Sequence, residues 1–287
     1  MATLPLPALC AAPNTLEKIR QTHTITIGHR TGARPFSYLN EQNQPAGYTV
    51  DLCQKVVAQV RKELKLADLK VSYVPVSATD RIAKLQNGTI DLECGTTTNT
   101  KARQEKVDFS YTIFVAGIKL ATRVGSGISS PATLAGKTVA LTRGSTSEKI
   151  FTQIHNAEVS SMKLQIFPTN TEAMKALQAG KVQAFAEDDV LLSGLQSTLA
   201  DGGKFAIVGD SLSVEPLAIM TRKGDKQLLG IIDKTLASVY ASGEINTLYK
   251  RWFDTAQIRV PMSALTRDAI TRPSEDAGIA RLIGYSI

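Results

Sequence analysis

Two stretches far apart in the chain carry one pattern: Leu85-Gln86-Asn87-Gly88-Thr89-Ile90 and Leu177-Gln178-Ala179-Gly180-Lys181-Val182. Each reads as the end of an amphipathic helix, a glycine stop and the start of a strand. A unit that recurs in this way predicts two lobes of the same βαβ design, hence an α/β fold. The 287 residues are enough for both lobes. An apolar content of 43% and a charged content of 21% are those of a folded chain with a core.

The two copies differ in the residues at the end of the strand. In residues 89–94, Ile90, Leu92 and Cys94 alternate with Thr89, Asp91 and Glu93, the period of a half-buried strand that Gly95 is expected to end. Thr96, Thr97, Thr98 and Asn99 come next, with Asn99 or Thr98 the expected cap of a helix starting near Thr100. Arg103 falls in its first turn, at the positive pole of the macrodipole, where a bare guanidinium is unfavourable. Its side chain leans back over the threonine hydroxyls and free N–H groups, a combination suited to a carboxylate or phosphate. A capped polar turn with a solvated arginine is the competing reading. The second strand, over 182–186, ends instead in Glu187-Asp188-Asp189. One lobe thus offers groups for a carboxylate and the other a carboxylate for a cation, which a zwitterion between them would satisfy. Asp188 as the cap of a helix over 190–199 is the alternative.

Other positions repeat the first motif. A strand over 24–27 runs into Gly28-His29-Arg30-Thr31-Gly32, and ligands of open α/β sheets sit beyond the carboxyl ends of strands. Arg30 is placed there to meet an anion, while His29 reads as structural. After a strand over 71–76, Thr79 or Asp80 caps a helix whose first turn holds Arg81, again a cation at the wrong pole. Three such arginines suggest a partner with more than one negative group; the alternative is coincidence of solvated side chains. Phe36 and Tyr48 suit either a pocket wall or a core. Further strands are expected over 137–141, 164–167, 205–208 and 218–221, with 212–216 crossing between lobes. Helices are expected over 51–65, 171–179, 225–241 and 244–253, and a tail over 255–287 that wraps the surface.

The net charge of +7 favours anions, but the basic residues are scattered and aromatics make up only 6%, which excludes a stacking nucleic-acid surface. Of three cysteines, Cys53 and Cys94 lie on apolar faces and read as buried free thiols, a disulfide between them being the alternative. With no CxxC and with isolated His23, His29 and His155, neither a metal nor a cofactor is expected. Residues 1–13 contain Cys10-Ala11-Ala12, the form of a signal cleavage site, and are read as the remnant of an export signal.

Taken together, Gly28-His29-Arg30, Pro35-Phe36-Ser37-Tyr38, Gly47-Tyr48, Arg81-Ile82, Glu93-Cys94-Gly95, Thr97-Thr98-Asn99, Arg103-Gln104, Thr146-Ser147-Glu148 and Asp188-Asp189 resemble the family 3 extracellular solute-binding proteins. The likeness extends from about Thr15 to Phe253 and is strongest to the glutamate/aspartate-binding receptors of ABC importers. It implies a type II two-lobed fold with two crossing strands, lobe 1 being 14–115 plus 218–287 and lobe 2 being 116–217. It also implies an α-carboxylate clamp of Arg103 with Thr98 and Thr96, an α-ammonium partner in Asp188, and Arg30 and Arg81 for the side-chain carboxylate. Thr146 matches a contact from the second lobe. Ala78 and Asn170 stand where those receptors carry a serine and a histidine, which bears on the choice among glutamate, aspartate and glutamine. The expectation is a monomeric, non-enzymatic periplasmic receptor for L-glutamate or L-aspartate that serves a membrane permease. A cyclohexadienyl or prephenate-type dehydratase on the same fold is the alternative, with Glu187 or Glu93 as proton donor.

Overall fold

The computed structural model describes residues 14–276, so the leader expected over 1–13 lies outside the described residues. The chain forms α1 (Thr15–Thr22), β1 (Thr24–His29), a small antiparallel sheet of β2 (Gly32–Ala33), β3 (Ser37–Leu39) and β4 (Pro45–Ala46), then α2 (Tyr48–Leu64) and β5 (Lys70–Pro75). Next come α3 (Arg81–Gln86), β6 (Leu92–Thr98), α4 (Lys101–Gln104) and β7 (Val107–Ala116). A second run holds β8 (Ile118–Arg123), β9 (Thr138–Thr142), α5 (Thr146–Ala157), β10 (Lys163–Phe167), α6 (Asn170–Gln178), β11 (Ala184–Asp188), α7 (Asp189–Gln196) and β12 (Phe205–Val208). The chain returns through β13 (Glu215–Arg222), α8 (Lys226–Ala241), α9 (Glu244–Phe253) and α10 (Ala264–Thr271).

Two five-stranded sheets result, in the orders β5-β1-β6-β13-β7 and β10-β9-β11-β8-β12. They are topological copies. Three parallel strands stand beside an antiparallel fourth, and that fourth strand is the one arriving from the other sheet. The repeated sequence marks equivalent places: Gly88 (φ 79°) comes after α3 and Gly180 (φ 71°) after α6, each in the left-handed conformation that glycine adopts without steric cost. The two crossings run side by side, Leu212 N donating to Ile118 O (2.9 Å). A Cβ on Gly117 would lie 1.8 Å from Ser211 Oγ, so this position between β7 and β8 leaves no room for a side chain.

Apolar periodicity accounts for the cores. Ile25 and Ile27 of β1 meet the stripe Leu52, Cys53, Val56, Val57 and Val60 of α2, all buried. Phe36 and Tyr48 belong to this core, packed edge-on with Phe253, and are not pocket walls. His29 is structural as read, its Nδ1 3.0 Å from Arg30 O.

Several expectations need correction. Gly95 does not end the first strand: β6 lies between β1 and β13 and keeps its ladder up to Thr98, opposite Leu217. The next helix is a single turn capped by Thr100, whose Oγ1 accepts from Arg103 N (3.3 Å). Asp91 and Glu93 do not face water, because β6 is covered on both faces. Asp91 is paired with Lys18 (2.6 Å) and Arg222 (3.6 Å), and Glu93 Oε2 accepts from Thr97 Oγ1 (2.9 Å). Nor are Cys53 and Cys94 free thiols. They form a disulfide tying α2 to β6, two apolar faces turned toward each other in one core. β13 starts at Glu215, so the second crossing ends earlier than 216. The tail is not only surface wrapping: α10 packs on β7, with Thr266 buried and its Oγ1 accepting from Val115 N (3.1 Å).

These contacts can be probed in two ways. The disulfide closes a loop of 41-residue separation, and replacing both cysteines with serine should lower unfolding stability by roughly 3–4 kcal/mol by loop entropy. Urea unfolding monitored by Trp252 fluorescence measures this. Asp233 of α8, buried near Glu275, has its carboxyl pushed up to about 7, chiefly by burial. In the unfolded chain it ionises at about 4. Between these values the folded state binds the extra proton, so the contribution of Asp233 to stability falls as pH rises from about 4 to 7 and then levels. Asp233→Asn, which keeps an acceptor for Tyr111 N–H, should gain on the wild type above pH 7 and not below pH 4, as read by thermal melts across that range.

Candidate functional site

Arg30, Arg81, Thr96, Thr98, Arg103, Thr146, Asn170 and Asp188 all line one cavity, together with Ala78, Thr142, Ser145, Glu187 and Leu191. The first sheet supplies one wall and the second the other. Arg30 leaves the end of β1, its N–H donating to Ser37 Oγ (3.0 Å). Arg81 opens α3, and Thr96 and Thr98 end β6. Arg103 in α4 donates through Nη1 to Thr98 O (2.9 Å) and through Nη2 across the cleft to Gly144 O (3.2 Å). From the other half, Thr146 and Asn170 open α5 and α6, and Asp188 closes β11. A wider cleft lined by Ser77, Asp80, Thr169 and Glu172 shares Arg30 and Asn170 with the cavity, giving it a mouth.

The charges set this cavity apart. Arg30 and Arg81 are buried, and among the described residues no ion pair involves either of them or Arg103. Arg81 Nε and Nη1 have no hydrogen-bond partner among these residues. Burial pushes its guanidinium down to about 9; Arg103 and Arg30 add to the shift and Glu93 opposes it. Arg30 and Arg103 are lowered by burial too, with Glu93 opposing most at Arg30 and Glu215 at Arg103.

Asp188 is held well above the usual carboxylate range by burial and then by Glu187 and Glu215. Although it occupies the N-cap position of α7, it makes no capping hydrogen bond, and its Oδ1 has no partner among the described residues. Desolvated guanidiniums on one wall and a desolvated carboxylate on the other are each costly alone. They are complementary to a small molecule that carries carboxylates and an ammonium.

Sequence reasoning missed Glu215. It is fully buried at the start of β13 and accepts from Thr146 Oγ1 (2.7 Å), linking the crossing segment to the second wall. Its signal was a lone acid in the apolar run Val214-Glu215-Pro216-Leu217. Among the described residues no His, Cys, Asp and Glu group is arranged to hold a metal ion, and no helix is long and apolar enough to cross a membrane.

Two α/β lobes around a charged interlobe cavity define a type II two-lobed binding protein. The chain belongs to the bacterial extracellular solute-binding proteins, family 3, whose sequence profile matches residues 25–255. It is 38% identical to an L-glutamate/L-aspartate-binding protein of Pseudomonas aeruginosa over 96% of both chains. A glutamate/aspartate import solute-binding protein of Escherichia coli is 37% identical, over 85% of this chain and 80% of that one. The crystal structure of a cysteine-binding protein from Campylobacter jejuni matches 88% of this chain and 97% of its own, with a TM-score of 0.76 and 28% identity.

The seam between the halves is tight at one more place. A Cβ on Gly194 of α7 would lie 2.0 Å from Arg34 O, backbone against backbone. Gly194→Ala favours the helix by up to about 1 kcal/mol but cannot keep this approach. It should leave the melting temperature unchanged or higher while increasing the radius of gyration in X-ray scattering. An unchanged radius would show that the seam tolerates a methyl group.

Proposed function

We propose that this protein is the periplasmic binding component of an ABC importer, capturing L-glutamate or L-aspartate and handing it unchanged to a membrane permease. One observation carries the reading: buried Arg30 and Arg81 and half-buried Arg103, which form no ion pair with any described residue, face across a single cavity a buried Asp188 that makes no capping hydrogen bond. In this reading Arg103, Thr96 and Thr98 take the α-carboxylate and Asp188 the α-ammonium. Arg30 and Arg81 take the side-chain carboxylate, while Thr146 and Asn170 complete the second wall. Each ligand charge would then meet an opposite one in a place where an unpaired charge is expensive. The names of the P. aeruginosa and E. coli relatives support this ligand class and a binding role over a dehydratase.

To the same proposal belong export through a signal over 1–13 and action as a monomer. So does the division into lobe 1 (14–115 and 218–287) and lobe 2 (116–217), closed by the ligand, whose differential affinity supplies the bias.

Leaving one partner of a buried charge pair uncompensated costs roughly 3–5 kcal/mol, about two to four orders of magnitude in affinity. Calorimetric titration of L-glutamate into Arg103→Ala and Asp188→Ala should therefore show binding lost, with both variants still folded. Near-normal affinity in either would remove that residue from the site. A thermal-shift screen of the common amino acids should give stabilisation by glutamate and aspartate. A response confined to arginine or lysine would refute the acidic-ligand reading.

A further inference from the structure

Glu187 lines the same cavity as Asp188 but has no part in the zwitterion scheme. It is 4% exposed at the end of β11, and its Oε1 accepts from Asp188 N (3.2 Å). Its Oε2 has no hydrogen-bond partner among the described residues. The charged groups around it come from several elements. Arg30 after β1, Arg81 of α3 and Arg103 of α4 attract it, while Glu215 of β13 and its own neighbour Asp188 repel it.

Three guanidiniums in this region thus share their field with Glu93, Glu187, Asp188 and Glu215. Glu93 and Glu215 are each held by a threonine hydroxyl, and Asp188 is committed to the ammonium. Admitting a ligand with two carboxylates and one ammonium would set six carboxyl groups against four cations in and around the cavity. Some of these carboxyls must then be neutral; Glu93, Glu187, Asp188 and Glu215 each keep one oxygen without a partner among the described residues, but only Glu187 and Asp188 line the cavity, and Glu187 is the one of the two with no other duty.

We propose that Glu187 is a specificity-determining residue at the ligand's side-chain end. As a neutral acid, its Oε2–H donates to a side-chain carboxylate beside Arg30; as a carboxylate, it accepts from a side-chain amide in the same place. The glutamate complex therefore holds one more proton on Glu187 than the glutamine complex: where Glu187 of the free protein is ionised, glutamate takes a proton up, and where it is protonated, glutamine releases one. The inference rests on the acidic-amino-acid reading and deepens it. Burial, aided by Glu215 and opposed by Arg30 and the Asp188 N–H, raises the Glu187 pKa and favours the protonated form.

The test is calorimetric titration of L-glutamate and L-glutamine, in paired buffers of different ionisation enthalpy, at about pH 6 and about pH 8. At either pH, wild type should bind close to one more proton with glutamate than with glutamine. Its glutamate-to-glutamine affinity ratio should fall by up to about tenfold per pH unit above the Glu187 pKa. In Glu187→Gln, which carries no titrating proton, the difference should vanish and the ratio become flat with pH. Equal proton exchange for the two amino acids in wild type, or a difference that survives in Glu187→Gln, would overturn the Glu187 assignment alone. Wild type that binds neither amino acid would overturn the acidic-ligand reading, and this proposal with it.

Discussion

The cost of keeping Arg30, Arg81 and Arg103 together is the constraint on which the rest of this structure depends. Taking a guanidinium out of water costs several kcal/mol even after relaxation, and here three like charges are gathered at one point. Glu93 beneath them offsets part of the repulsion, and Arg103 spends its hydrogen bonds on carbonyl oxygens of both halves. No ion pair among the described residues neutralises the cluster. A charge arrangement of this kind binds anions strongly because the polar groups are oriented in advance and shielded from bulk water.

The duplicated topology places the groups. Each sheet ends its parallel strands toward the same gap, so β1 and β6 deliver Arg30, Thr96 and Thr98 from one side. β11 delivers Glu187 and Asp188 from the other. Helix starts complete the ring, with Arg81 on α3, Thr146 on α5 and Asn170 on α6. The crossings beside Gly117 are short and mutually hydrogen-bonded. Gly144, Gly194 and Gly32 lie where the halves meet, and a Cβ on any of them would press on the opposite wall. Glycines at the seam thus let the two halves approach closely.

Much of this was legible in the chain because it rests on local signals. The Leu-Gln-x-Gly repeat announced two lobes, and cations in the first turns of helices announced an anion site, since each contradicts the dipole of its own helix. The hidden part was decided by tertiary burial. Asp91 and Glu93 obey strand alternation, yet β6 is the centre of a sheet covered on both faces, so alternation did not mean exposure. Cys53 and Cys94 each sit on an apolar face, and only the packing of α2 on β6 shows that the faces meet. Gly95 resembles a stop signal but continues a strand where Arg30 and Glu93 crowd the backbone. Glu215 looked like part of a linker because its partner Thr146 lies in the other half.

In the proposed binding mode the guanidiniums of one lobe, answered by Asp188 on the other, hold a doubly anionic amino acid. A crystal structure of the protein grown with L-glutamate tests it most directly. The account predicts the α-carboxylate on Arg103, the ammonium within hydrogen-bond distance of Asp188 and the side-chain carboxylate between Arg30 and Arg81. Glutamate bound outside this cavity, or bound within it with its ammonium away from Asp188, would contradict it.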